Sequence, residues 1–172
     1  MPVSPEDLFA YLDRLEIAHS TVSHPPLFTV EQSQAMRGKV TGAHTKNLFL
    51  KDKKSALYMV TALEDAKIDL KSLHRLLGAT GRFSFGAPNL LEEVWGVQPG
   101  SVTPFGAIND AAGRVTVVLD TDLMRHEIVN SHPLVNTMTT SLASRDLIKF
   151  LEATGHVPMI TAVTGETPAF PE

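Results

Sequence analysis

Two apolar runs separated by a short lysine-rich turn constrain the fold of this 172-residue chain more than any other feature. The first, TKNLFLK, spans Thr45 to Lys51, and the second, ALYMVTAL, spans Ala56 to Leu63. Each run has the length and the apolar character of a buried strand. Together they predict a β-hairpin that is buried on at least one face, so the fold must contain a sheet.

Helical patterns lie mainly near the two ends of the chain. Ser4 with Asp7 predicts a capped amphipathic helix from Pro5 to about Glu16, and Ser144 opens a last helix that Gly155 closes. Three shorter helices are predicted between them: one from Val30 to Arg37, one capped by Asp69 and ended by Gly78, and one from Pro88 to Glu93.

From Gly100 onward, apolar segments alternate with turns. The segments predicted as strands are SVTPFGAI, RVTVVLD, HEIVN and LVNTMTT. Because helices cluster early and late while strands pair locally, the sequence predicts an α+β domain around a mostly antiparallel or mixed sheet. A doubly wound parallel sheet would need strands and helices that alternate along the chain.

Size and composition fit one domain. With 43% apolar residues, the chain can build one well-packed core, and it contains no internal repeat or interdomain linker. We assign residues 1–165 to that domain and expect residues 166–172 to form a flexible tail. No apolar run is long enough to cross a membrane and the first residues are acidic, so we expect a soluble, cytoplasmic protein.

Charge is unevenly distributed along the chain. The formal net charge of -4 argues against a protein that coats nucleic acid unselectively. Basic residues nevertheless concentrate between Arg37 and Lys54, where a local basic face can hold one end of an RNA. From charge alone, a lysine-studded hairpin edge that prevents aggregation explains the same residues equally well.

The familiar catalytic motifs are absent from the sequence. Because the chain has no cysteine, disulfides, thiolate nucleophiles and sulfur-ligated zinc are excluded. There is no GxGxxG, P-loop or GxSxG motif. His126 and His132 are six residues apart, so a helix would not place both on one face as a zinc protease requires. We therefore expect neither a metal nor a cofactor.

Three segments together carry a family resemblance: HTKNLFLKDKK from His44, GVQPGSVTPFGAIND from Gly96 and NSHPLVNTMTTS from Asn130. They resemble the YbaK and prolyl-tRNA synthetase-associated domain family of editing deacylases. The likeness extends over nearly the whole chain, including the SHPP turn near its start. Within that family the chain is most similar to the free-standing alanyl-tRNA(Pro) deacylases, ProXp-ala or PrdX.

The resemblance implies both a fold and an activity. The fold is a mixed α/β domain with a curved central sheet. The activity is hydrolysis, in trans, of the ester that joins an amino acid to a mischarged tRNA, with Ala-tRNA(Pro) as the expected substrate. The implied partners are tRNA-Pro and prolyl-tRNA synthetase. Cysteine, serine or another small amino acid stays open as the group removed, since the sequence does not measure the pocket.

The resemblance also assigns site residues. The lysine of the TKN segment corresponds to Lys46, with Asn47 beside it, and the histidine near the C-terminal strands corresponds to His132. The substrate-binding residues come from the GxxxP loop and from the apolar group beside the short second helix: Gly100, Ser101, Val102, Thr103, Pro104, Leu27, Phe28 and Val30.

The chemistry of an aminoacyl ester suits this set of residues. The ester is already activated, so its hydrolysis needs a held water and a stabilised oxyanion more than a strong nucleophile. Lys46 can hold the terminal phosphate or ribose of the tRNA. Backbone N–H groups of the loop from Gly100 to Pro104 can approach the substrate carbonyl, because glycine lacks an obstructing side chain.

Each residue also has a purely structural interpretation. Lys46 fits an ordinary strand edge, GSVTP fits a turn, and His132 fits a bond to a backbone carbonyl before a proline. Only their joint occurrence favours a site. Two alternatives of a different class also remain at this point: a non-catalytic module of the same fold that binds tRNA or a synthetase, and an interaction scaffold.

Overall fold

The computed structural model describes residues 2–26 and 40–165. The helices of this part of the chain are α1 (Pro5–Arg14), α2 (Leu73–Leu77), α3 (Pro88–Trp95) and α4 (Ser144–Ala153). Its strands are β1 (His19–Ser23), β2 (Ala43–Lys51), β3 (Leu57–Leu63), β4 (Ser84–Phe85), β5 (Val115–Asp120), β6 (Ile128–Ser131), β7 (Met138–Ala143) and β8 (Met159–Thr161). None of the helices described is long and apolar enough to span a bilayer.

The eight strands form one mixed sheet. Its order is β1-β7-β6-β2-β3-β5-β8, with β4 added to β2. The pairs β2–β6, β3–β5 and β5–β8 are parallel, and the remaining pairs are antiparallel. The predicted hairpin is confirmed as β2–β3, in register from Thr45 opposite Leu63 to Lys51 opposite Leu57. The predicted class, an α+β domain with a mixed sheet, is confirmed as well.

Alternate side chains of the central strands serve two different cores. Phe49, Met59 and Val117 pack with α1, α3 and α4 on what we call the helical face. Leu50 and Val60 pack with α2 and the segment around residue 163 on what we call the opposite face. Because successive side chains of a strand point to opposite sides, a residue's position along β2 or β3 decides which face it joins.

Helix ends follow the expected capping chemistry. The hydroxyl of Ser4 accepts a hydrogen bond from the Asp7 N–H at 3.1 Å and caps α1 as predicted. Gly78 ends α2 and Gly96 ends α3, both in the left-handed conformation with φ of 69° and 73°. The helix expected from Asp69 begins only at Leu73, since Asp69 instead closes a turn by accepting the Lys71 N–H.

The prediction of a strand at SVTPFGAI is wrong. Its first residue ends the 3-10 turn Pro99–Ser101, and most of the rest forms the 3-10 turn Pro104–Asn109, because Pro104 lacks the N–H that a central strand must donate. The strand expected over LVNTMTT begins only at Met138. Strands β1, β4 and β8 had no counterpart in the sequence analysis. The predicted helix from Val30 to Arg37 lies outside the described residues.

A buried polar pair joins the end of α4 to the turn before β5. The His156 Nε2 lies 2.8 Å from Asp110 Oδ2, and both side chains are only 2% exposed. Asp110 also accepts the N–H groups of Arg114 and Val115. One carboxylate therefore satisfies three donors in the interior, where an unmatched donor would be costly.

Replacing this carboxylate should destabilise the fold. We expect Asp110→Ala to lower the free energy of unfolding by about 3 to 5 kcal/mol, because it leaves the His156 Nε2 and the N–H groups of Arg114 and Val115 without their acceptor. Urea unfolding of the wild type and the variant measures the difference. The matched control is Asp69→Ala, which removes an exposed carboxylate that accepts the Lys71 N–H and the Ser72 hydroxyl within a turn. Equal losses in the two variants would contradict the role given to Asp110.

Candidate functional site

The two edges of β2 are paired with neighbouring strands to different extents. Along one edge β2 pairs with β3 from Thr45 to Lys51. Along the other edge it pairs with β6 only at Ala43 and His44, and with β4 only at Leu50 and Lys51. Between these two ladders, residues 45–49 pair with no strand along this second edge in the described part of the chain. We call this stretch of the β2 edge the notch.

Main-chain polar groups point into the notch. The His44 carbonyl accepts from the Glu64 N–H beyond β3, whereas the Phe49 carbonyl accepts from the Gly86 N–H beside β4. Since these directions alternate along a strand, the N–H and C=O of Asn47 face the notch. The notch therefore offers a donor and an acceptor to an extended ligand.

Lys46 lies on the opposite face of the sheet, directly across from Ala62 on β3. Its ammonium donates a hydrogen bond to the Ala66 carbonyl in the segment that follows β3, and its side chain is half-buried. A lysine ammonium has three N–H donors. The contact with Ala66 uses one of them and leaves the others for a ligand.

His132 immediately follows β6 and has a close histidine neighbour. Its Nδ1–H donates to the Met138 carbonyl at 3.0 Å, so in the neutral ring Nε2 carries a free lone pair. The ring of His24, from the SHPP turn, lies 6.2 Å away between centroids. His24 itself is held by Thr139 Oγ1 and the Pro25 carbonyl, both at 2.8 Å.

The surroundings of His132 favour its neutral form. Burial lowers the pKa of His132 most, the hydrogen bond to the Met138 carbonyl opposes this, and the neighbouring His24 lowers it further. The net pKa lies below the ordinary value of 6.5. His132 can therefore accept a proton at neutral pH.

The backbone after His132 is held in an unusual conformation. Leu134 has a φ of 72°, in the left-handed region that a leucine rarely adopts. Its side chain is only 7% exposed and packs in the core of the helical face. This burial compensates the strain and fixes the segment that carries His132.

Asn47 ties the hairpin to the loop from Gly100 to Pro104. Its side-chain oxygen accepts from Thr61 Oγ1 at 2.6 Å, and its side-chain nitrogen donates to the Val102 carbonyl at 3.1 Å. Thr61 is completely buried. Both polar ends of Asn47 are thus engaged within the protein.

The loop from Gly100 to Pro104 is anchored at its second half. Thr103 and Pro104 are buried, and the Thr103 carbonyl accepts from the Trp95 indole N–H at 2.6 Å. The Ser101 N–H is used within the turn, bonding the Gln98 carbonyl, and proline has no N–H. The N–H groups of exposed Gly100 and half-buried Val102 are left as candidate donors to a ligand.

An open pocket of about 390 Å³ lies beside this loop. Asn47 and Val102 border it, and the apolar residues around them are Phe49, Leu91 and Pro99. A larger groove of about 620 Å³ crosses β1, β7 and β6 and is bordered by Ser20, Ser141 and Arg145. None of the predicted site residues lines that groove, so its size alone does not make it the site.

The structure separates the predicted residues into two groups around the notch. Asn47 and Val102 meet on the helical face. The parallel register pairs His44 with Asn130, and Lys46 and His132 each follow two residues later, so both belong to the opposite face. Leu27, Phe28 and Val30 lie outside the described residues. Sequence reasoning missed His24, whose motif was interpreted only as a turn.

The described residues contain no cluster of three or more histidine or acidic side chains arranged to hold a metal ion. His44, Glu64, Asp65 and His126 border one small cavity without meeting that arrangement.

Comparisons with known proteins agree on one family. A model of the aminoacyl-tRNA editing domain matches residues 24–150. The chain is 38% identical over 157 residues to prolyl-tRNA synthetase associated domain-containing protein 1 of Danio rerio, covering 90% of this chain and 85% of that protein. It is 36% identical over 150 residues to the prolyl-tRNA editing protein ProX of Acetoanaerobium sticklandii, covering 87% and 91%.

The fold has solved counterparts. A crystal structure assigned as a candidate trans-editing enzyme for prolyl tRNA synthetase superimposes with a TM-score of 0.70 at 18% identity, covering 94% of this chain and 98% of that chain. At this identity, the likeness establishes the shared architecture.

The protonation of His132 can be measured directly. We expect an NMR titration of its ring to give a pKa below 6.5 in the folded protein and an ordinary value in urea. Because the folded pKa is the lower one, the unfolding free energy should fall as pH drops from about 6.5 through the folded pKa. A folded pKa above 6.5 would remove the basis for a neutral His132.

Proposed function

The chain belongs to the aminoacyl-tRNA editing domain family, and on that premise we propose that it is a free-standing deacylase that hydrolyses mischarged tRNA, with Ala-tRNA(Pro) as its substrate. The observation that carries the proposal is the notch. By the register of β2 with β6, Lys46 and His132 belong to one face of the sheet, and the loop from Gly100 to Pro104 meets Asn47 on the other, so these groups flank the β2 edge that neither β4 nor β6 covers. This arrangement suits ester hydrolysis without a covalent intermediate.

In this mechanism, His132 activates the attacking water. Its Nδ1–H is held by the Met138 carbonyl, so Nε2 is the atom that accepts the proton. The water oxygen then bonds to the ester carbonyl carbon, and the carbonyl oxygen becomes an oxyanion. When the intermediate collapses, the ribose oxygen of the tRNA leaves and takes the proton. His24, which is held by Thr139, acts as a positioning residue for the His132 imidazole.

The oxyanion is stabilised by backbone N–H groups of the loop from Gly100 to Pro104. Asn47 positions this loop through the Val102 carbonyl, and Thr103 anchors it to Trp95. A donor that is already aimed at the developing charge needs no reorganisation during the reaction. We therefore assign Asn47 a positioning role within the site.

Lys46 holds the nucleic-acid end of the substrate. Its ammonium is fixed by the Ala66 carbonyl, which reduces the conformational freedom lost when a phosphate or ribose oxygen binds. The substrate is anionic along its backbone, and a lysine in a half-buried position attracts it more strongly than one in open solvent. The partners that follow are tRNA-Pro and, as the source of the error, prolyl-tRNA synthetase.

The need for this activity has a physical basis. A synthetase pocket shaped for proline cannot reject alanine by size, because one methylene changes binding by only about 1 to 3 kcal/mol. A second site that admits alanine and excludes proline corrects the error. On our proposal Val102, which borders the pocket beside the loop, is part of the excluding wall.

Deacylation assays test the function. We expect the purified chain, in buffer with EDTA, to hydrolyse Ala-tRNA(Pro) and to leave Pro-tRNA(Pro) intact. Lys46→Ala should lose at least about a hundredfold in kcat/KM, the scale of a removed electrostatic contact in an active site. Lys149→Ala on α4 is the exposed control and should retain wild-type rates. Binding of tRNA without hydrolysis would support a non-catalytic module instead.

The selectivity of the proposed site for Ala-tRNA(Pro) over Pro-tRNA(Pro) is tested by a substitution at Val102. Removing two methyl groups should admit a larger substrate, so we expect Val102→Ala to raise kcat/KM for Pro-tRNA(Pro) by roughly tenfold with little gain for Ala-tRNA(Pro). Val157→Ala, at a position that is 80% exposed, is the matched control. Unchanged discrimination in a folded Val102→Ala would place the excluding wall elsewhere.

A further inference from the structure

Phe85 is the large aromatic side chain that the fold leaves most clearly without a partner among the described residues. It is 62% exposed, although it belongs to a strand of the sheet. It borders the mouth of the 390 Å³ pocket together with Pro88 and Pro99. Exposed aromatic surface beside an apolar pocket is a common feature of ligand sites, because the fold gains nothing from leaving it in water.

Basic side chains lie near Phe85, on β2, on the turn after it and before β4. Lys51 pairs with Ser84, next to Phe85, and Arg82 precedes the same strand. Lys53 bonds the Thr80 carbonyl through its N–H, and its stem lies against Gly81. With Lys54, these residues form a surface that we call the basic ridge: Lys51, Lys53, Lys54 and Arg82.

Two acids lie near part of the ridge. Asp52 is only 5% exposed, and its carboxylate accepts the N–H groups of Lys54, Ala56 and Thr80 inside the turn. Asp52 also attracts the Lys54 ammonium, and Asp69 attracts Arg82. Lys51 and Lys53 are therefore the members of the ridge best placed to bind an anion.

Phe85 lies beside the notch, close to the residues of the proposed site. It pairs with Leu50 of β2 and borders the pocket that Asn47 and Phe49 line on the helical face. Four residues of β2 separate Leu50 from Lys46, which corresponds to about 13 Å along the strand. A nucleoside, together with the reach of the side chains, can bridge that separation.

We propose that Phe85, with Pro88 and Pro99, forms a stacking subsite for an unpaired nucleobase at the 3′ end of the RNA, and that the basic ridge holds the adjacent phosphates. This inference rests on the proposed function and names the part of the substrate that Phe85 contacts. Exposed aromatic rings stack on single-stranded bases of any identity, and flanking cations bind their phosphates. The combination of an aromatic ring with basic neighbours favours RNA over an apolar peptide.

The subsite provides a contact with the tRNA that does not involve the amino acid. A base held at Phe85 fixes the end of the tRNA independently of the attached amino acid, while the ester reaches the notch. Stacking of this kind tolerates any base, so the subsite contributes to the affinity for tRNA and not to the choice of amino acid.

Binding and kinetics of matched variants test the subsite. The probes are uncharged tRNA-Pro and a short single-stranded RNA that ends in CCA. Phe85→Ala should weaken the Kd for both probes, and raise the KM for Ala-tRNA(Pro), by about tenfold, whereas Phe85→Tyr should restore wild-type values. Ile160→Ala, which removes a 46%-exposed side chain from the far edge strand β8, should have no effect.

The contribution of the basic ridge to RNA binding is measured separately, from the salt dependence of the Kd. Lys53→Ala should weaken RNA binding in low salt and reduce the slope of log Kd against log salt by about one, as expected for one lost phosphate contact. An unchanged slope would remove Lys53 from the ridge's binding role.

The outcomes separate this proposal from the deacylase function. If Phe85→Ala binds both RNA probes as tightly as the wild type, or if wild-type protein binds neither, the subsite is wrong. If Phe85→Ala loses binding and Phe85→Tyr restores it while no ester is hydrolysed, the subsite stands and the proposed activity fails. If Phe85→Tyr does not restore RNA binding, the stacking role is also wrong. A thermal melt of each variant confirms that the fold is retained.

Discussion

The division of the β2 edge between two short partner strands is the constraint on which the rest of the site depends. β3 fixes one edge of β2 completely, while β6 and β4 hold only the two ends of the other. In the middle of this central strand, one edge is thereby left without a strand partner among the described residues. A sheet normally satisfies such main-chain groups, so an interrupted ladder at its centre is a natural place for a ligand.

The residues around the notch are held by contacts that come from distant parts of the chain. Asn47 bridges Thr61 to the Val102 carbonyl, and His24 reaches Thr139 across more than one hundred residues. These bonds explain how a mixed sheet positions a loop on one face and a histidine on the other. The alternation of side chains along β2 places Lys46 and Asn47 on opposite sides of the same edge, so a ligand in the notch can meet both groups.

Local patterns predicted the parts of the fold that local chemistry determines. Ser4 capped its helix, and the runs around Leu48 and Val60 formed the central hairpin. The strands that were missed are short or lie at edges, where few apolar residues mark them. SVTPFGAI has a strand-like composition, but Pro104 lacks the N–H that a ladder needs. The family resemblance supplied Lys46 and His132, whereas the partner of His132, His24, depends on tertiary contacts that no local motif contains.

The central claim is that the aminoacyl ester binds at the notch. A crystal structure with a non-hydrolysable amide analogue of alanyl-adenosine tests it most directly. The account predicts that the alanyl carbonyl lies within hydrogen-bond distance of an N–H of the loop from Gly100 to Pro104, and that the His132 Nε2 faces the carbonyl carbon with room for one water. An analogue seated in the larger groove beside Ser141 and Arg145, without contact to residues 45–49, would contradict it.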